Sequence, residues 1–178
     1  MKKYEWAYVV LAHHEGGFVD HSNDPGGATN YGVSLRFLRQ EGIDIDGDGD
    51  IDADDIRAID PAKSKAIYKK YFWIPCQCEK IRSTMMATKI FDMAVNMGQR
   101  QAYKLVQRAI NSLQSSQELV VDGLVGPSTI GAINSLEKED FELIVHVRTE
   151  QAKFYLDLIE NKPDLGSFSL GWLRRAAS

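Results

Sequence analysis

Apolar positions recur with helical spacing along most of the chain. Residues 3–15 place Trp6, Val9, Val10 and His13 on one side, and Gly16-Gly17 ends the run. Residues 17–32 break the pattern with Gly, Asp, Asn and Pro, which supply turns and positive φ angles, so a loop or short hairpin is expected there. Ser34 is a predicted N-cap for a helix reaching about Gln40. Asp60-Pro61 combines an N-cap with proline at the first helical position, opening a helix to about Phe72. Ser83 caps a helix that reaches Gly98, with Met86, Ile90, Phe91, Ala94 and Val95 facing inward. A further helix covers about 100–113, and Gly126-Pro127-Ser128 opens a short one to about Leu136. Residues 139–160 form the longest helix, with Phe141, Ile144, Val145, Phe154, Leu158 and Ile159 on its apolar side. No long alternating run announces a large sheet. The class is mainly α, a helical bundle with a small β-hairpin or loop element near residues 18–33.

The 178 residues are 44% hydrophobic, enough to bury a core. No apolar run approaches the roughly 20 residues that span a bilayer. The stretch from Met1 to Ala12 has basic and apolar parts, but Glu5 interrupts it and no small-residue cleavage site precedes His13-His14-Glu15. It reads as the first helix of the mature fold. The expected localisation is cytoplasmic until release, or export without a cleaved signal peptide. Cys76 and Cys78 are too close in sequence for an unstrained disulfide in most backbones, so both are read as reduced thiols. No basic stripe or recognised motif points to nucleic acid. A monomer is expected.

The net charge of −4 is unevenly spread. Asp44 to Asp55 contains seven aspartates and no basic residue, so the rest of the chain carries +3 once that −7 is set aside. The segment fits an EF-hand-type calcium loop: Asp44, Asp46 and Asp48 at positions 1, 3 and 5, Gly49 at the sharp turn, Asp50 offering its carbonyl at position 7, and Ile51 as the apolar residue. Asp52 stands at position 9, and position 12 is Asp55, where glutamate is usual. A structural calcium ion held by Asp44, Asp46, Asp48, Asp50 and Asp55 is the expectation, with a solvated acidic linker as the alternative. No cofactor is expected for catalysis.

The candidate chemistry lies between residues 15 and 34. Glu15 ends an apolar helix, and Asp20 and Asp24 follow on a glycine-rich loop that can fold back towards it. Glycoside hydrolysis needs one carboxylic acid to protonate the leaving oxygen and a second carboxylate to activate water or attack the sugar. Apolar neighbours raise the pKa of a glutamate, as an acid working near neutral pH requires. His13-His14-Glu15 lacks the His-Glu-x-x-His spacing of a zinc protease, because Gly16, Gly17 and Phe18 follow.

Glu15-Gly16-Gly17-Phe18 followed by Asp24-Pro25-Gly26-Gly27-Ala28-Thr29-Asn30-Tyr31-Gly32-Val33 resembles the signature of glycoside hydrolase family 108, bacterial and phage muramidases once called secretion activators. The resemblance implies a lysozyme-like fold with Glu15 as catalytic acid. It also resembles phage lysozymes, in which an Asp and then a Thr follow the catalytic Glu. Here eight residues separate Glu15 from Asp24, and Thr29 follows after four, one fewer than in those enzymes. Asp24 and Thr29 are accordingly the other candidate catalytic residues, with Asp20 as a rival carboxylate or a substrate contact beside Tyr31. Phe91 to Gly98 resembles the family's second core helix, which implies either a sugar contact or a capping role for Asn96. Leu105 to Asn111 and Val121 to Thr129 resemble the predicted peptidoglycan domain of the family. Trp172 either stacks on sugar or anchors the core.

The implied organisation is a lysozyme-like catalytic region over 1–98, carrying the 44–55 insert, and a helical peptidoglycan-domain region over 99–178 packed onto it. The implied activity is cleavage of peptidoglycan between N-acetylmuramic acid and N-acetylglucosamine at the cell wall. The alternative is a non-catalytic peptidoglycan-binding or secretion-related protein.

Overall fold

The structure is a computed structural model and describes residues 2–14, 28–114 and 119–177. The chain divides into two compact units, Met1–Ile74 and Pro75–Ser178. The described elements are mainly helical with one small two-stranded antiparallel sheet. The observed class is therefore the expected one.

The first unit opens with α1, Lys3–His14. Tyr4, Ala7 and Leu11 are its buried residues, whereas Trp6 and Val9 are 48% and 59% exposed. The side that carries Trp6 and Val9 is therefore not the one that packs inward. α1 is apolar around much of its circumference, so spacing alone does not choose a side. Partners choose it: the Tyr4 hydroxyl donates to Lys65 O at 2.5 Å, and its ring packs on Trp73 at 5.2 Å. β1 (Thr29–Asn30) and β2 (Val33–Ser34) form the hairpin. Tyr31 and Gly32 between them have φ of 45° and 75°, the paired positive values of a type I′ turn. Ser34 caps α2 (Leu35–Glu41) by accepting from Phe37 N at 3.2 Å. The acidic segment then leads to α3 (Ala53–Arg57) and, after the Asp60 cap, to α4 (Pro61–Tyr68). Where one α-helix to about Phe72 is expected, α4 stops at Tyr68 and continues as a π-helical turn, Lys69–Trp73. That turn brings Phe72 against Phe37 at 5.6 Å and Tyr68 at 5.7 Å.

The second unit contains α5 (Thr84–Met97), α6 (Gln99–Leu113), α7 (Pro127–Ser135), α8 (Asp140–Asn161) and α9 (Ser169–Ala177). Ser83 caps α5 by accepting from Met86 N at 3.1 Å. Met86 to Ala94 are all buried, the signature of a helix covered on every side. Leu105, Val106, Ala109 and Ile110 of α6 are buried, as are Leu143, Ile144 and Val147 of α8. On α8 the expected apolar side is only partly right. Phe141 and Val145 are 72% and 42% exposed, while Gln151 and Tyr155 are buried. α9 is tied to α5 by polar contacts: Arg175 Nη2 lies 2.9 Å from Asp92 Oδ1, and Lys89 Nζ donates to the carbonyls of Arg175 and Ala176 at 3.0 and 3.1 Å. Cys76 and Cys78 are buried and share no disulfide.

Candidate active site

Of the candidate residues, Glu15, Asp20 and Asp24 lie outside the described residues. Thr29 and Tyr31 are carried by the hairpin that follows them. Thr29 pairs with Ser34, and Asn30 with Val33. Successive residues of a strand point to opposite faces. Asn30 is buried and takes the inner side, donating from Nδ2 to Ile56 O at 3.1 Å and Ile59 O at 3.0 Å. Thr29, half-buried, therefore presents its hydroxyl on the opposite face. Ser64 Oγ donates to Tyr31 O at 3.1 Å, and Leu35 N donates to Ala28 O at 2.9 Å. These bonds fix both ends of the hairpin and leave the Tyr31 ring at its tip, 40% exposed.

Asn96 belongs to the second unit, in the last turn of α5. It is exposed, and its Oδ1 accepts from the Tyr155 hydroxyl at 2.6 Å. Tyr155 stacks on Trp172 at 5.3 Å with 19° between the rings, and Trp172 stacks on Phe168. Trp172 therefore sits in an intramolecular stack. The Tyr155 partnership is absent from the sequence reading, and nothing local in the sequence announces a contact across 59 positions.

The acidic segment is an ordered loop held by its own carboxylates. Asp44 Oδ1 accepts from Gly47 N at 2.6 Å and its Oδ2 from Gly49 N at 3.0 Å. Gly47 and Gly49 have φ of 80° and 100°, which only glycine adopts without strain. Asp55 is buried and closes the loop, accepting from Ile45 N at 2.5 Å and Asp52 N at 2.8 Å. Carboxylate oxygens of Asp44, Asp46 and Asp48 lie within 4.8 Å of one another, and so do those of Asp50, Asp52 and Asp55. Asp52, outside the expected ligand set, thus joins the second trio while also capping α3. Desolvation, then the charges of Asp48, Asp55 and Asp44, raises the Asp46 carboxyl above its ordinary value. Asp48 foremost does the same to Asp50. Burial pushes the Asp55 carboxyl upward, but the N–H bonds from Ile45, Asp52 and Asp46 outweigh it and hold the group below the usual carboxylate value.

The Asp122-Gly123-Leu124-Val125-Gly126-Pro127-Ser128-Thr129 segment is a structural turn. Buried Gln107 on α6 organises it: its Nε2 donates to Asp122 Oδ1 at 3.0 Å and its Oε1 accepts from Gly123 N at 2.8 Å. A Cβ on Gly123 would lie 2.2 Å from Arg100 O, so no side chain fits.

Residues 8–98 match the profile of the family described as glycosyl hydrolase 108, and residues 101–177 match the one described as Predicted Peptidoglycan domain. Among solved structures, the chain resembles Brucella abortus SagA with a TM-score of 0.75 and 22% identity. The match covers 98% of this chain and 89% of that one, and shows that the mainly-α fold is shared. No curated protein sequence matches the chain. Among the described residues, no helix is long and apolar enough to cross a membrane. The chain belongs to the glycosyl hydrolase 108 family, and its function is that of a peptidoglycan-related, lysozyme-like glycoside hydrolase.

Proposed function

We propose that the protein is an N-acetylmuramidase cleaving peptidoglycan between N-acetylmuramic acid and N-acetylglucosamine. One observation carries the reading: the Glu15-Gly16-Gly17-Phe18 to Gly32-Val33 motif lies wholly inside the span that matches the glycosyl hydrolase profile. Glu15 protonates the glycosidic oxygen. A water deprotonated by Asp24 attacks the sugar carbon, so the leaving strand departs with the proton of Glu15 and Asp24 receives that of the water. Thr29 is read as the third catalytic residue, acting through its hydroxyl. Asp20, Tyr31 and Asn96 are read as substrate contacts. Glu15→Gln removes the proton donor at constant shape. It should leave the melting temperature unchanged and lower release of soluble fragments from purified peptidoglycan by about 10²–10⁴-fold. Equal release by both proteins would contradict the assignment.

The acidic loop is read as a structural calcium clamp. Its donors are all hard oxygens, and two of its carboxyls, Asp46 and Asp50, are held above their ordinary pKa with neighbouring carboxylate charges among the causes, which a divalent cation would offset. Calcium should raise the melting temperature, and the combined Asp44→Ala and Asp46→Ala changes should abolish the rise. An undiminished rise in that double variant would sink the clamp.

A further inference from the structure

We propose that Tyr155 is a positioning residue that sets which end of the Asn96 amide faces outward. This rests on the reading of Asn96 as a substrate contact. Tyr155 is 2% exposed and its ring is held flat against Trp172, so its hydroxyl has a fixed place. Gln151, one turn earlier on α8 and fully buried, donates from Nε2 to the Tyr155 oxygen at 3.1 Å. A phenol carries one proton. With Gln151 filling an acceptor position, that proton goes to Asn96 Oδ1 at 2.6 Å. The amide carbonyl is thereby taken, and among the described residues nothing accepts from Asn96 Nδ2. Gln151, Tyr155 and Asn96 form a one-way relay. Its exposed end offers two N–H donors in a fixed direction.

An unanchored surface amide presents its donor and acceptor ends interchangeably, and a ligand must select one. Here the selection precedes binding, which reduces the ordering cost of association. The matching ligand is a carbonyl acceptor, and the acetamido oxygen of an N-acetylated sugar is the acceptor that a peptidoglycan strand repeats.

The experiment compares wild type, Asn96→Ala, Tyr155→Phe, the Asn96→Ala/Tyr155→Phe double variant and Asn96→Asp. Each is tested for co-sedimentation with purified insoluble peptidoglycan and for kcat and KM of fragment release, with melting curves alongside. Tyr155→Phe keeps the ring stack and loses only the hydroxyl. It should weaken binding and raise KM by roughly tenfold with kcat unchanged. Asn96→Ala should do the same, and the double variant should be no worse than Asn96→Ala. Asn96→Asp still accepts from Tyr155 but has no N–H to offer, so it should keep its melting temperature and lose binding. If Tyr155→Phe proves unfolded, this variant alone carries the test. Multiplying effects in the double variant, a Tyr155→Phe protein that binds normally, or an Asn96→Asp protein that binds normally would overturn the relay. A wild type that sediments but releases nothing would end the muramidase reading and leave the relay to be decided by sedimentation. A wild type that does neither would end both.

Discussion

The two compact units hold themselves together differently. In Met1–Ile74, short elements are joined by side chains that bond to backbone: Tyr4 to Lys65 O, Asn30 to Ile56 O and Ile59 O, Ser64 to Tyr31 O, and Asp55 to the start and end of the acidic loop. In Pro75–Ser178, long helices bury aliphatic residues almost continuously, with α5 covered from Met86 to Ala94. Where short elements meet, backbone groups lack the partners that long helices supply among themselves. Side-chain bonds there replace secondary structure. The second unit adds broad, non-directional burial along its long helices to such bonds, which there are gathered at the Gln107 turn and at the junction of α9 with α5.

Breaking each kind of support should give different losses. Phe91→Ala empties a site at the centre of α5 and should cost about 3–5 kcal/mol, read as a lower denaturant midpoint. A loss below 1 kcal/mol would mean that the burial is not what stabilises this unit. Asn30→Ala leaves the Ile56 and Ile59 carbonyls without their donor and should cost about 1–3 kcal/mol. Its effect should be additive with Phe91→Ala, a residue of the other compact unit. A loss below about 0.5 kcal/mol would contradict the hairpin's dependence on that contact.

A further effect concerns pH. Burial, reinforced by Arg148 and Arg175 and opposed by Asp92, lowers Lys89 to about 8 from an ordinary 10.5. The folded state then holds this proton less tightly than the unfolded state. The charged amine is therefore destabilising below about pH 8, and the penalty fades as pH rises towards 10.5. Wild type should gain stability relative to Lys89→Met across that window, measured as the difference between two denaturation series. A constant difference would show that Lys89 is not perturbed. Asp55 carries the opposite sign in the first unit. Its lowered pKa gives stability that is present above the unfolded value and is lost as pH falls through the folded one.

The sequence made the helix starts legible because they are local. Ser34, Asp60, Ser83 and the Gly126-Pro127 pair all cap or open helices as their chemistry predicts. Faces were less legible. On α1 the apolar residues outnumber one side of the helix, and the choice of Tyr4 over Trp6 depends on Lys65 and Trp73, far away in sequence. On α8 the buried Gln151 gives its Nε2 to Tyr155, a contact that apolar spacing does not announce. The short α3 and the terminal α9 have weak local signals and are held by Asn30 and by the Asp92–Arg175 pair. Of the candidate site, the Glu15 motif is a contiguous string and could be read directly. Tyr155 meets Asn96 only through folding, and a linear pattern does not contain that contact.

The most direct test of the central claim is mass spectrometry of the soluble products released from purified peptidoglycan by wild type and by Glu15→Gln. The account predicts fragments with reducing N-acetylmuramic acid ends from wild type and essentially none from the variant. Fragments ending in reducing N-acetylglucosamine, or no fragments from a folded wild type supplied with calcium, would contradict it.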